Sequence, residues 1–163
     1  LAFERPAWTA QTGDQWQCVA DTAAAVAALP QQPARVFLAI GRQNLQPFVQ
    51  CPQHHYLLRL VDAVPIVALP HVQVVIARGP FTVGGDRALL QAHGITHVVA
   101  KNSGGVGAAA KLEAARALGL PVILINRPRI AQRHTAVTVA QVMAWLSGNH
   151  ADPSDAATTD RGV

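Results

Sequence analysis

The stretch from Ile95 to Ile125 constrains the fold more than any other. It reads as strand, glycine-rich turn, helix, glycine stop and strand in one unbroken run. Ile95 to Ala100 is a short run rich in β-branched residues, and Lys101 to Gly107 is turn chemistry. Ala108 to Leu118 is Ala- and Leu-rich with no breaker until Gly119, so it reads as a helix closed by a glycine cap. Pro121 to Ile125 is apolar at every position, as expected of a strand whose two faces are both covered by helices. Two strands joined by a helix at this spacing form a parallel crossover unit.

The rest of the chain extends the pattern. Asp21 to Leu29 is Ala-rich and helical until Pro30-Gln31-Gln32-Pro33 breaks it. Arg35 to Ile40 is a buried strand ending at Gly41-Arg42, followed by a short helix near Asn44 to Val49. Tyr56 to Val61 and Gln73 to Ala77 are further strands. Asp86 to His93 reads as a helix with Asp86 as its N-cap and Gly94 just past its end. Val137 to Leu146 is a closing amphipathic helix. Residues 1–16 carry two of the three tryptophans and read as a lead-in segment. The reading is therefore an α/β fold, a Rossmann-like, mostly parallel sheet with helices on both faces. It spans residues 1–148, with 149–163 small, polar and expected to be disordered.

Composition narrows the function classes. Half of the 163 residues are hydrophobic and 13% are charged, which describes a globular chain. No apolar run approaches the ~20 residues of a membrane span, and the first residues do not resemble a secretory signal. Cys18 and Cys51 lie far apart, with no metal-ligand spacing around them. That pattern predicts no metal site and a reducing, cytoplasmic setting. Eleven of the thirteen basic residues are Arg, and three of the nine acids fall in the tail. A body poor in acid and rich in planar guanidinium groups suits an anionic ligand, although a genome that favours Arg codons gives the same bias. The Arg residues are scattered, with no basic run or interleaved aromatics, so nucleic acid is disfavoured as a partner.

In parallel sheets, ligands bind beyond the carboxyl ends of the strands. Four expected strand ends carry Gly, a cation or an amide: Gly41-Arg42, Arg78-Gly79-Pro80-Phe81, Lys101-Asn102-Ser103-Gly104-Gly105 and Asn126-Arg127-Pro128. Within the third, Gly105, Gly107 and Ala110 fit G-x-G-x-x-A between a strand and a helix, the context of a phosphate-binding turn. A structural tight turn reads the same way. The following strand ends in Asn126-Arg127 with no acid, which suits the 2′-phosphate of NADPH, whereas a solvated loop charge is the plainer account of Arg127. Ser103 lacks a base and an acid beside it and is no nucleophile. His54 and His55 are adjacent on a strand and point to opposite faces, so they make a poor metal pair. His93 reads as a helix-end residue, and Trp8, Trp16 and Trp145 as packing anchors.

Taken in order, Arg5-Pro6-Ala7-Trp8, Ile40-Gly41-Arg42, Arg78-Gly79-Pro80-Phe81, Lys101-Asn102-Ser103-Gly104-Gly105 with Lys111, and Pro121-Val122 to Arg127-Pro128 resemble the second half of precorrin-6A reductases. The similarity covers residues 3–130, and Lys-Asn-Ser-Gly-Gly before a helix is its most specific element. The resemblance implies NADPH-dependent reduction of the precorrin-6A macrocycle to precorrin-6B in cobalamin biosynthesis, with both ligands in a cleft between two Rossmann-like domains. Members of that family begin with a domain of their own, opening on a strand and Gly-rich turn. That domain is missing here and the first residue is Leu, so this chain is expected to be the C-terminal part. Gly41, Arg42, Arg78, Gly79, Pro80, Lys101, Asn102, Ser103, Gly104 and Gly105 are the expected cofactor residues. Arg5 and Arg127 are the expected contacts to the tetrapyrrole carboxylates. No residue is singled out as catalytic. A non-catalytic nucleotide-binding module or a dimerisation domain built on the helix around Trp145 remains the alternative.

Overall fold

The computed structural model describes residues 1–62, 69–128, 130–131 and 133–148. The chain divides into two units: Ala7–Arg129, and Leu1–Pro6 together with Ile130–Val163.

The larger unit is built on six strands: β2 (Gln15–Val19), β3 (Arg35–Ala39), β4 (His55–Leu60), β5 (Val72–Ile76), β6 (His97–Lys101) and β7 (Pro121–Ile125). They lie in the order β2-β7-β6-β3-β4-β5, and every pairing is parallel. The chain steps outward from β3 to β4 and β5, then returns to the other side of β3 to form β6 and β7. The order therefore reverses between β3 and β6, and a ligand crevice belongs at the carboxyl ends of strands at such a switch point.

Side chains alternate between faces with the period of two that a strand imposes. Val36 and Leu38 of β3 join Leu58, Val99 and Ile123 in one core layer, under α1 (Thr22–Ala27) and the 3-10 turn that buries Phe48. Phe37 faces the other way and joins Val98, Ala100, Val122 and Leu124 against Leu90 of α2 (Val83–Ala92) and Leu112, Ala114 and Ala115 of α3 (Ala110–Ala117). The central strands are apolar on both faces because helices cover both.

Several sequence expectations shift. The strand Gln15–Val19 lies partly in the presumed lead-in segment; it is an edge strand on β7, so its Gln and Cys side chains are exposed and its apolar signal is weak. The short helix after β3 is two 3-10 turns, Arg42–Asn44 and Gln46–Gln50, the second with a proline in its first turn. Asp86 is not the N-cap of α2. Thr82 caps that helix by accepting from the Gly85 N–H at 3.1 Å, and Asp86 sits in the first turn, buried. Gly84 and Gly85 weaken the helical signal and hide the true start. The helix before β7 begins at Ala110, after a 3-10 turn at Val106–Ala108, and Gly119 ends it at φ 63°.

The smaller unit pairs β1 (Ala2–Phe3) in parallel with β8 (Thr135–Ala136). Its helix α4 (Val139–Leu146) starts later than expected because Thr138 and Gln141 form a capping box. The apolar stripe of α4, Val139, Met143 and Leu146, is exposed. Arg133 pairs with Glu4 at 2.5 Å. The tail expectation for 149–163 lies outside the described residues. No helix among the described residues is long and apolar enough to cross a membrane.

Candidate functional site

Because all six strands are parallel, every strand-end loop singled out in the sequence of the larger unit lies at the same edge of the sheet. Two cavities open there. The first, about 370 Å³, is lined by Ala20, Asp21 and Thr22 after β2, by Lys101, Asn102 and Ser103 at the end of β6, and by Ile125 to Pro128 at the end of β7. The second, about 330 Å³, is lined by Ile40, Gly41 and Arg42 after β3 and by Arg59 to Asp62 at the end of β4. The expected residues therefore divide. Lys101, Asn102, Ser103 and Arg127 share the first cavity, and Gly41 and Arg42 belong to the second. Arg78 reaches Asp62 of the second cavity at 2.5 Å, in an exposed ion pair, and Gly79-Pro80 follows it as a cis peptide. Arg5 is an exposed residue of the smaller unit.

The Gly-rich turn between β6 and α3 is held with care. Gly104 and Gly105 have φ of 68° and 78°, a region that favours glycine. The buried Asn102 side chain is committed to the backbone of Trp8. Its Oδ1 accepts from the Trp8 N–H at 2.8 Å, and its amide donates to the Trp8 carbonyl at 3.0 Å. The Trp8 indole N–H donates to the Gly105 carbonyl at 2.9 Å. Arg127 donates from Nε to the Asn102 carbonyl and from Nη2 to the Ser103 carbonyl, both at 2.9 Å. Arg127 thus braces the turn rather than standing as a solvated loop charge.

Behind the turn lies a buried charged cluster that sequence reasoning missed. Arg59 pairs with Asp86 and lies 3.7 Å from the centroid of the Phe81 ring, with Phe37 beyond it at 5.3 Å. Lys111, 7% exposed, sits 5.0 Å over the Trp8 ring and donates to the Ala108 carbonyl. Burial pushes the Lys111 pKa down to about 8, helped by the Arg59 charge and opposed by Asp86. The available signal was a lone Arg inside the apolar strand HYLLRL, which demands a partner. Asp21 was read only as the start of a helix. It caps α1 by accepting from Ala24 at 2.8 Å, and it lines the first cavity because the unrecognised β2 ends beside it.

Among the described residues no group of three or more His, Cys, Asp or Glu is placed to hold a metal ion. His55 and His71 stack at 4.7 Å at the opposite, amino edge of the sheet.

The fold defines a Rossmann-like α/β domain whose carboxyl-edge loops line a cavity carrying Lys101 and Arg127. Residues 1–147 match the family Precorrin-6x reductase CbiJ/CobK, and the chain belongs to that family. It is 63% identical over 153 residues to a Precorrin-6A reductase of Rhodobacter capsulatus, covering 93% of this chain and 61% of the relative. To a Precorrin-6A reductase of Rhodococcus erythropolis it is 40% identical over 147 residues, covering 90% and 59%. A solved structure, "CobK precorrin-6A reductase", superposes with a TM-score of 0.87 at 64% identity, covering 90% of this chain and 61% of that one. The chain therefore spans about three-fifths of the length of the curated relatives it matches. The resemblance read in the sequence is borne out at the level of family and fold.

Proposed function

We propose that this chain takes part in the NADPH-dependent reduction of precorrin-6A to precorrin-6B in cobalamin biosynthesis, as the C-terminal part of the reductase. The observation that carries the reading is the first cavity, where Lys101, Ser103 and Arg127 converge at the ends of two neighbouring strands. The fit to a phosphorylated dinucleotide is chemical. The cavity offers two cations, Lys101 and Arg127, and two hydroxyls, Thr22 and Ser103, and its one acid, Asp21, already accepts a helix N–H. The strand end where an NAD-selective acid would stand carries Asn126 and Arg127, which favours a 2′-phosphate.

Bound NADPH supplies the hydride, and the chain's own task is to hold and aim it. Lys101 and the turn's amides bind phosphate, and the glycines permit close backbone approach. Gly41 and Arg42 in the second cavity, with Arg78 to Pro80 beside it, extend the cofactor surface across the switch point, and Arg5 meets a macrocycle carboxylate. None of these steps needs a protein nucleophile. Both cysteines are free thiols, which fits a cytoplasmic setting.

The test adds NADPH, NADH and precorrin-6A separately to the chain and follows binding by nicotinamide fluorescence and macrocycle absorbance. The reading expects NADPH and the macrocycle each to bind, with NADH weaker. Binding of neither ligand, or equal affinity for NADH and NADPH, would overturn it.

A further inference from the structure

Two residues that stand in the sequence motifs, Trp8 and Lys111, have no part in the reading above. The structure places both directly behind the Gly-rich turn. Four carbonyls of that turn are tied to side chains: Asn102 and Ser103 to Arg127, Gly105 to Trp8, and Ala108 to Lys111. A trans peptide points its C=O and its following N–H in opposite directions. Pulling the Gly105 carbonyl onto the Trp8 indole therefore turns the Val106 N–H the other way. Val106 is 95% exposed and opens a 3-10 turn, so its N–H donates to no group among the described residues. Left untied, carbonyl lone pairs in a flexible Gly-Gly turn would be free to face the same side and repel an anion.

The three ties are linked. Asn102 grips the Trp8 backbone on both sides, and the Lys111 ammonium lies over the face of the same indole. We propose that Trp8, Lys111 and Arg127 are positioning residues, a brace that turns the carbonyls of the 102–108 turn away from the ligand and leaves the amides from Gly104 to Gly107 toward it, those of Asn102 and Ser103 being bonded to Ile125 and Lys101. This rests on the reading that an anionic group of the cofactor lies on that turn. The groups around the Lys111 ammonium are Arg59 of β4, Asp86 of α2 and Trp8 of the segment before β2. Lys111 therefore loses its charge as pH rises past about 8, well above the range in which phosphate groups titrate.

The experiment compares the parent chain with Trp8→Phe, which keeps an aromatic face near Lys111 but removes the indole N–H together with the pyrrole ring, and with Lys111→Arg, which keeps the charge at all accessible pH. The Trp8 indole N–H resonance is followed by NMR from pH 7 to 9, and affinities for NADPH and inorganic pyrophosphate are measured at both ends. Dispersed amide spectra establish that each variant is folded. In the parent the indole signal titrates near pH 8 and affinity falls across that range; in Lys111→Arg both are flat. Trp8→Phe binds about five- to tenfold more weakly at pH 7, the effect of one net hydrogen bond. Folded variants that bind NADPH as tightly as the parent, with the same pH profile, overturn the brace and leave the cofactor reading standing. A parent that ignores NADPH yet binds pyrophosphate with this dependence on Trp8 and Lys111 overturns the cofactor and keeps the brace.

Discussion

Replacing Asn102 with Ala tests how the Gly-rich turn is anchored. Its buried amide makes two hydrogen bonds to the backbone of Trp8, at 2.8 and 3.0 Å, across 94 residues of sequence. Each is worth about 1 kcal/mol net, and truncation leaves the Trp8 N–H and carbonyl half-buried without partners, which adds a fraction more. The expected loss is about 2–3 kcal/mol. For a chain of 163 residues that lowers the melting temperature by roughly 4–12 °C. Circular dichroism melts and urea titrations of the parent and Asn102→Ala measure it. Asn102→Asp makes the comparison sharper. A carboxylate can still accept from the Trp8 N–H, but it sets an oxygen against the Trp8 carbonyl, so it should be destabilised as much at pH 7 and recover at acid pH, where the carboxyl carries a proton to donate. An Asn102→Ala chain that melts within about 1 °C of the parent would refute the anchoring argument.

Other consequences follow from the same geometry. Lys101→Ala should weaken NADPH binding by about 1–3 kcal/mol, the range for a charge-assisted hydrogen bond, and an unchanged dissociation constant with an intact fold would remove Lys101 from the site. Asp86→Ala leaves the Arg59 guanidinium buried between Phe81 and Phe37 without its carboxylate. It should cost about 3–5 kcal/mol in urea unfolding, most of it recovered in the Arg59→Leu/Asp86→Ala double variant. His54 is fully buried, its Nδ1 accepts from the Ala34 N–H at 3.1 Å, and burial, then the nearby His97, lowers its pKa. The unfolded chain therefore takes up a proton near pH 6.5 that the folded chain refuses, so the His54 contribution is whole above pH 6.5 and is lost as pH falls below it. Urea unfolding at pH 7.5 and 5.5 should show lower stability at pH 5.5, and His54→Gln should reduce the difference; an unchanged difference would contradict the assignment.

The central strands were legible because they are apolar on both faces, as Val36–Leu38 and Pro121–Ile125 are, and because glycine closes the helices beside them. Gln15–Val19 was not, since an edge strand buries only part of its surface and QWQCV shows little contrast. Missing it also hid Asp21 from the site. The start of α2 was misplaced because Thr82-Val83-Gly84-Gly85 caps a helix with residues that usually break one. In the site, the type of residue at each strand end was readable, but not its direction. Asn102 and Arg127 look like ligand contacts in sequence, yet both spend hydrogen bonds on the protein's own backbone. The Arg59–Asp86–Lys111 cluster comes from three separate elements, and no local spacing announces it.

The central claim is that an anionic part of the cofactor rests on the turn after β6. Titrating NADPH into the 15N-labelled chain and mapping amide shifts tests it directly. The account predicts the largest changes at Lys101, Ser103, Gly105 and Val106, with smaller ones at Gly41 and Arg42 across the switch point. Changes centred on the amino edge, at Tyr56, Gln73 and His93, with the Gly-rich turn unmoved, would contradict it.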